Sequence, residues 1–197
     1  MDLSRETFWV VDVEGNGAKP PEIVEIAIVE VRDLTLQQRR MEWLVKPQAP
    51  ISPLVTRIHG ITDEDVAQSP DIEDIADDIL TWTADGKVLG HNVKVDVDAI
   101  KRAIPTWQPT MAIDTLKLAK LVLPGRTSYS LENLGDNLGL SKIAAQESGK
   151  EQHSALFDSI LTGLLFIHLM SELPERLRQP TLTDCDILNS SQGKLLL

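Results

Sequence analysis

The stretch Phe8-Trp9-Val10-Val11-Asp12-Val13-Glu14-Gly15-Asn16-Gly17 constrains the chain more than any other. An apolar run leads into an acid, an apolar residue and a second acid, and a Gly/Asn turn closes it. β-Branched and aromatic side chains in such a run mark a buried strand. Side chains alternate along a strand, so Asp12 and Glu14 share a face. Adjacent carboxylates repel each other, and burying them without a partner is expensive. A divalent cation that prefers oxygen, Mg²⁺ or Mn²⁺, resolves that conflict. The competing reading is a strand whose last two acids emerge into solvent.

The 197 residues suit one domain with a sizeable core. A net charge of -11 argues against a broad basic surface for nucleic acid. It does not exclude an enzyme that reaches phosphates through metal ions. The one cysteine, Cys185, rules out an intramolecular disulfide and a cysteine zinc cluster. No signal peptide is read at the N-terminus, and no apolar run is read as long enough to cross a bilayer. The expectation is a cytoplasmic protein with no membrane contact.

Further along, Glu22 to Val31 reads as a central strand, Leu34 to Arg40 as a hairpin connection and Met41 to Val45 as a third strand. Short links between them predict an antiparallel meander. Ser52 and Pro53 start a short helix that Gly60 closes, and Thr62 to Asp65 begin another turn. Asp71 to Trp82 is amphipathic, with Ile72, Ile75, Ile79 and Trp82 on one side. Lys87 to Gly90 is a short strand, followed by a helix over Val95 to Ile104. An extended segment over Thr110 to Asp114 precedes helices over 115–122 and 130–138. Residues 141 to 152 are polar and read as a loop, and Ser154 to Leu169 as the longest helix. Beyond Pro174 the signal decays: Leu177 and Leu182 are placed to pack back, and Asn189 to Gln192 reads as a frayed tail.

Later acids and a histidine join the first pair as candidates. Asp96 opens a helix, where a carboxylate also serves the helix dipole. Asp98 competes with it, and two positions apart on a helix at most one of them faces a site. His153 and Asp158 are separated by roughly 140° on an ideal helix, so they do not share a face. The better arrangement puts His153 on the preceding loop and Asp158 in the second turn. Together Asp12, Glu14, Asp96 and Asp158 supply the carboxylates that a two-metal phosphodiesterase needs. A neutral histidine supplies the base. His168 reads as structural or as a surface residue.

Order and spacing then resemble the DEDDh family of 3′ to 5′ exonucleases over roughly Phe8 to Ile167. The motifs are Asp12-Val13-Glu14, His91-Asn92-Val93-Lys94-Val95-Asp96 and His153-Ser154-Ala155-Leu156-Phe157-Asp158. Glu25-Ile26, Ile58-His59-Gly60-Ile61-Thr62, Asp114-Thr115-Leu116 and Ser130-Leu131-Glu132-Asn133-Leu134 match supporting landmarks. The family often continues its first motif with Thr-Thr-Gly, where this chain has Gly15-Asn16-Gly17. Val95 stands where the family usually has phenylalanine, which implies thinner packing beneath the site.

The resemblance implies an α/β, ribonuclease H-like fold: a mixed five-stranded sheet flanked by helices. It implies an exonuclease domain over 1–172 and a C-terminal extension over 173–197, partly ordered or packed on the domain. It implies two Mg²⁺ or Mn²⁺ ions on Asp12, Glu14, Asp96 and Asp158, with His153 as general base. Val13, Gly15, His59, Ile61, His91 and Asn92 are implied around the terminal nucleotide, with Ile61 as an apolar wedge. Lys94, Arg126 and Lys150 lie near the mouth, where ordinary solvated charge is the competing reading.

The implied reaction is hydrolysis of terminal phosphodiesters of DNA to nucleoside 5′-monophosphates. The expected partner is single-stranded DNA or a frayed 3′ end. A 3′–5′ exoribonuclease is the nearest alternative. A non-catalytic module that binds nucleic acid or a polymerase partner is the alternative of another class. The sequence leaves a homodimer open.

Overall fold

In the computed structural model, which describes residues 6–83 and 86–189, the first strand anchors a five-stranded sheet. The chain runs β1 (Thr7–Gly15), β2 (Ile23–Arg32), β3 (Thr35–Leu44), α1 (Pro53–His59), α2 (Asp63–Val66) and α3 (Ile72–Thr83). It continues through β4 (Lys87–Gly90), α4 (Lys94–Ala103), β5 (Met111–Asp114), α5 (Thr115–Val122) and α6 (Leu131–Asn137). Then follow α7 (Leu140–Ser148), α8 (Ala155–Glu172) and α9 (Glu175–Cys185). The sheet order is β3-β2-β1-β4-β5, with β1–β2–β3 antiparallel and β4 and β5 parallel to β1. This is the mixed ribonuclease H-like α/β sheet that the resemblance implies.

Period-two alternation divides the core into two layers. Phe8 and Val10 of β1 join Ala27, Val29 and Val31 of β2 under α8, where Phe8 and Phe166 pack with ring centroids 5.2 Å apart. Trp9, Val11, Ile26 and Ile28 face α3 and α4 on the other side. Asp12 and Glu14 continue the Phe8–Val10 face, which carries them toward α8.

α8 corrects one expectation. It spans 18 residues with mean hydropathy 1.4, long and apolar enough to cross a membrane by length and composition. Here 67% of that window is buried, against the sheet and against α5, α6 and α7. A helix apolar on all sides is what a core position flanked on several faces demands.

Other local differences have plain causes. The β2–β3 link is a two-residue turn, because Asp33 (φ 56°) and Leu34 (φ 52°) both adopt left-handed backbone, as a type I′ turn requires. Most of the segment read as a connection is therefore strand. The polar stretch read as loop over 141–152 is largely helical. α7 lies between left-handed Gly139 (φ 71°) and Gly149 (φ 66°), and it buries Ala144 against the core. Leu182 packs back as expected, whereas Leu177 stays 43% exposed. After α9 the chain returns to the sheet edge: Asp186, buried, accepts the Ala112 amide at 3.0 Å. Of the tail read as frayed, residues 190–192 lie outside the described residues.

Gly90 ends β4 in tight quarters. A Cβ there would stand 2.5 Å from Val93 Cγ2, 2.9 Å from Val93 Cβ and 3.2 Å from the Val11 carbonyl oxygen. Val93 is buried and β-branched, so it has little freedom to yield. Gly90→Ala is expected to lower stability by about 1–3 kcal/mol, read as a lower urea midpoint at unchanged slope.

Candidate active site

Three elements meet at the C-terminal end of β1. β1 presents Asp12 and Glu14, and the first turns of α8 present Asp158. One carboxylate oxygen from each lies within 4.8 Å of the other two. The fourth acid arrives from α4. Asp96 is 6% exposed, and its Oδ1 accepts the Val13 amide at 3.2 Å, between the two β1 acids in sequence. Asp98 is exposed and pairs with Lys94 at 2.6 Å, so Asp96 is the residue turned toward the sheet. At this end the partner of β1 jumps from Glu14↔Glu25 to Gly15↔Ile23, an irregularity of the kind that re-aims side chains near sites.

Burial and mutual repulsion dominate the electrostatics of the four acids. Burial first, then Asp96, Asp158, Glu14 and Glu25, raise Asp12 well above the ordinary carboxylate range. Burial, Asp158, Glu25 and Asp96 push Glu14 up to about 8. Burial raises Asp96 to about 7 against the opposing Val13 hydrogen bond. Burial also raises Asp158 to about 6, although the neighbouring His153 pulls it down. Among the described residues, no Lys or Arg ion pair involves these four groups. Hard oxygen donors, like charge and the missing counter-cation fit a divalent metal of the Mg²⁺ type.

His153 lies on the loop before α8, exposed, with a left-handed backbone (φ 66°) that ends the loop and releases the helix. It lines an open cleft of about 600 Å³ with Ile58, Lys142, Lys150 and Phe157.

The residues expected around the substrate divide. His59 Nδ1 accepts the Ile61 amide at 3.0 Å, so the proton sits on Nε2, which donates to the Gly15 carbonyl at 3.3 Å. His91 is also used within the fold: Nε2 donates to the Tyr129 carbonyl at 2.8 Å, and Nδ1 meets Thr115 Oγ1 at 3.0 Å. Both imidazoles therefore fasten loops around the site. Asn92 has left-handed backbone (φ 61°), an exposed side chain and an amide held by Asp114 at 2.9 Å. The Val13 side chain packs toward the α3–α4 layer. Ile61 follows α1. It is 9% exposed and packs with Val24, Ile51 and Val66, because the left-handed Gly60 turns the chain inward after α1. On α1 the apolar side chains of Leu54 and Ile58 face solvent, 69% and 52% exposed and one helical turn apart. Val95 is likewise 56% exposed, so it is not packing beneath the site.

Lys150 sits 3.1 Å from Glu42, and the Arg126 amide donates to the Tyr129 hydroxyl at 3.2 Å. Asn16 had no assigned role in the sequence, yet it is fully buried. Its side chain bonds the Ala49 carbonyl and the Ala18 and Glu22 amides, organising the β1–β2 loop. Asn in a Gly-Asn-Gly turn is the only local signal of that role.

Fold and site together define an α/β protein of the ribonuclease H-like class with a DEDDh-type arrangement of acids. The family model RNase_T, described as "Exonuclease", matches residues 9–166. DNA polymerase III subunit epsilon of Aquifex aeolicus is 30% identical over 173 residues, covering 85% of this chain and 82% of that protein. Exonuclease X, solved in complex with 5′ overhanging duplex DNA, superposes with a TM-score of 0.70 at 30% identity, covering 90% of this chain and 98% of that one. The nuclease domain of 3′hExo, a DEDDh family member bound to rAMP, has a TM-score of 0.69 at 16% identity and covers 87% and 95%; it speaks for the fold alone. The chain belongs to the RNase_T exonuclease family.

Proposed function

We propose that this protein is a metal-dependent 3′–5′ exonuclease that cleaves the terminal phosphodiester of DNA, preferring single strands, and releases nucleoside 5′-monophosphates. One observation carries the reading: carboxylate oxygens of Asp12, Glu14 and Asp158 converge within 4.8 Å. Asp96 stands beside them on the Val13 amide. Two Mg²⁺ or Mn²⁺ ions bound there would supply Lewis acidity and neutralise charge on the reacting phosphate. Asp12, central among the acids, would help hold both ions, Glu14 and Asp158 would hold the one that activates the attacking water, and Asp96 would help hold the other.

His153 accepts the proton of the attacking water at a ring nitrogen and passes it to solvent. The water oxygen bonds to phosphorus as the bond from phosphorus to the 3′ oxygen breaks, and the departing oxygen takes a proton from solvent, leaving a fresh 3′ hydroxyl on the shortened strand and a 5′-monophosphate on the released nucleoside. Leu54 and Ile58 on α1 give an unstacked terminal base an apolar surface. Few phosphates need contacting at once, which accords with a net charge of -11.

A time course with end-labelled single-stranded DNA, matching RNA and a 5′-overhanging duplex tests this, with Mg²⁺, Mn²⁺ or chelator. Stepwise mononucleotide release that stops with chelator is expected, fastest on single-stranded DNA. Faster release from RNA would replace the DNA reading with an exoribonuclease. Nicking of circular single-stranded DNA would overturn the requirement for a free end. His153→Ala is expected to lower turnover about 10²–10⁴-fold, the usual worth of a general base. Its Mn²⁺ affinity, followed by calorimetry, should stay near that of the native protein.

A further inference from the structure

Glu25 is buried at 3% exposure, yet this chemistry gives it no part. It lies on the face of β2 that further along presents Ala27, Val29 and Val31 to the core under α8, so an acid there is out of character with its strand. A buried carboxylate persists only with compensation. Glu25 finds it 130 residues away: Oε2 accepts the amide of Ala155 at 2.7 Å.

Ala155 is the first residue of α8. Amides in the first turn of a helix have no partner within it, and the helix dipole favours an anion there. The Ser154 hydroxyl takes the Phe157 amide at 3.2 Å, and Glu25 takes the amide of Ala155 from across the sheet. α8 is thus capped once by its own chain and once by β2. Asp158 follows in the same first turns, and His153 immediately precedes them.

Glu25 also pairs in register with Glu14 on β1. It therefore joins the strand rung that bears one acid to the helix turn that bears another. The other end of the His153 loop is fastened too, since Lys150 sits 3.1 Å from Glu42 on the neighbouring strand. Ser159 Oγ reaches the Ala27 carbonyl at 3.5 Å, a looser contact one turn further along α8.

We propose that Glu25 is a positioning residue: through the Ala155 amide it seats the first turn of α8 on β2 and so holds Asp158 and His153 in place against the Asp12–Glu14 pair. Its kinetic consequence rests on the exonuclease reading; the seating itself does not.

Two substitutions separate reach from charge. Glu25→Gln keeps the length and a carbonyl acceptor but removes the charge. Glu25→Asp keeps the charge and is one methylene too short. In Glu25→Asp, exchange of the Ala155 amide with solvent should accelerate at least about tenfold. The Mn²⁺ dissociation constant by calorimetry should rise about 10–100-fold, the usual effect of losing a group that orients a metal-holding carboxylate. The kcat on end-labelled DNA should fall about 10–100-fold with KM within about twofold, because misplacement rather than binding is affected. Glu25→Gln should stay within about threefold of the native protein in all of these.

Impairment of Glu25→Gln with Glu25→Asp near the native protein would assign the effect to charge and overturn the proposal. Native Ala155 exchange and native Mn²⁺ affinity in Glu25→Asp would overturn it as well. Should Glu25→Asp not fold, Lys150→Met loosens the other end of the same loop. A kcat lowered about threefold or more at constant KM supports the proposal, and an unchanged kcat overturns it. If the native protein degrades no nucleic acid, the exonuclease reading fails, while amide exchange and Mn²⁺ affinity still decide the role of Glu25.

Discussion

Asp12→Asn is expected to remove activity and stabilise the metal-free protein at the same time. Asp12 stands at the centre of the cluster, and Asp96, Asp158, Glu14 and Glu25 all raise its pKa beyond what burial alone does. An amide of the same shape removes one charge from that repulsion while leaving the packing intact. With chelator at pH 8, the melting temperature should rise by roughly 3 °C or more. Turnover with Mg²⁺ should drop at least about 10³-fold, since the group proposed to hold both ions loses its anionic oxygen. Opposite movements of stability and activity mark a site that is assembled at the expense of the fold. Scanning calorimetry with chelator and a single-turnover assay measure the two halves. A variant both inactive and less stable would mean that Asp12 matters for structure rather than for a cation.

The second large effect is the pH dependence of stability and its reversal by metal. Asp158, Asp96 and Glu14 have folded-state values of about 6, 7 and 8, all above the ordinary carboxylate range near 4. A carboxylate with a raised folded pKa holds more protons in the folded chain than in the unfolded one. Stability therefore falls as pH rises. Below about pH 4 both states are protonated and these groups carry no penalty. The penalty grows from there and is complete above about pH 8, past the folded value of Glu14. The metal-free protein should melt at a lower temperature at pH 8 than at pH 5.5. Divalent cations bind the deprotonated form, so Mn²⁺ at about 100 times its dissociation constant should raise the melting temperature by about 5–10 °C at pH 8. The gain should be much smaller at pH 5.5, where protons compete for the same oxygens. A gain independent of pH would place the ion on groups other than these carboxylates.

What could be read from the chain follows the range of the forces involved. Asp12 and Glu14 were legible because alternation along a strand is local geometry, and Asp96 was preferred to Asp98 by motif spacing. Strands β1, β2 and β4 and helix α5 have strong runs bounded by turn residues, so their positions agree closely with the sequence. α7 was hidden because its surface is polar and its signals are two glycines used as caps. The β2–β3 turn was hidden because Leu34 is an unusual residue for left-handed backbone, held there by strand pairing on both sides. The roles of His59 and His91 depend on carbonyls 44 and 38 residues away. Glu25 depends on an amide 130 residues away, and no period in a single chain reports such a partner. The burial of Ile61 depends on the direction of the chain after a short helix, set by Gly60 and by the apolar niche of Val24, Ile51 and Val66, which the motif does not encode.

These carboxylates are expected to gather a divalent metal. Crystals soaked in Mn²⁺ near pH 7.5 allow the ions to be located by anomalous scattering. One peak ligated by Asp12, Glu14 and Asp158, and a second that shares Asp12 and lies toward Asp96, is the predicted result. An empty cluster at saturating Mn²⁺, or ions bound only elsewhere on the acidic surface, would contradict it.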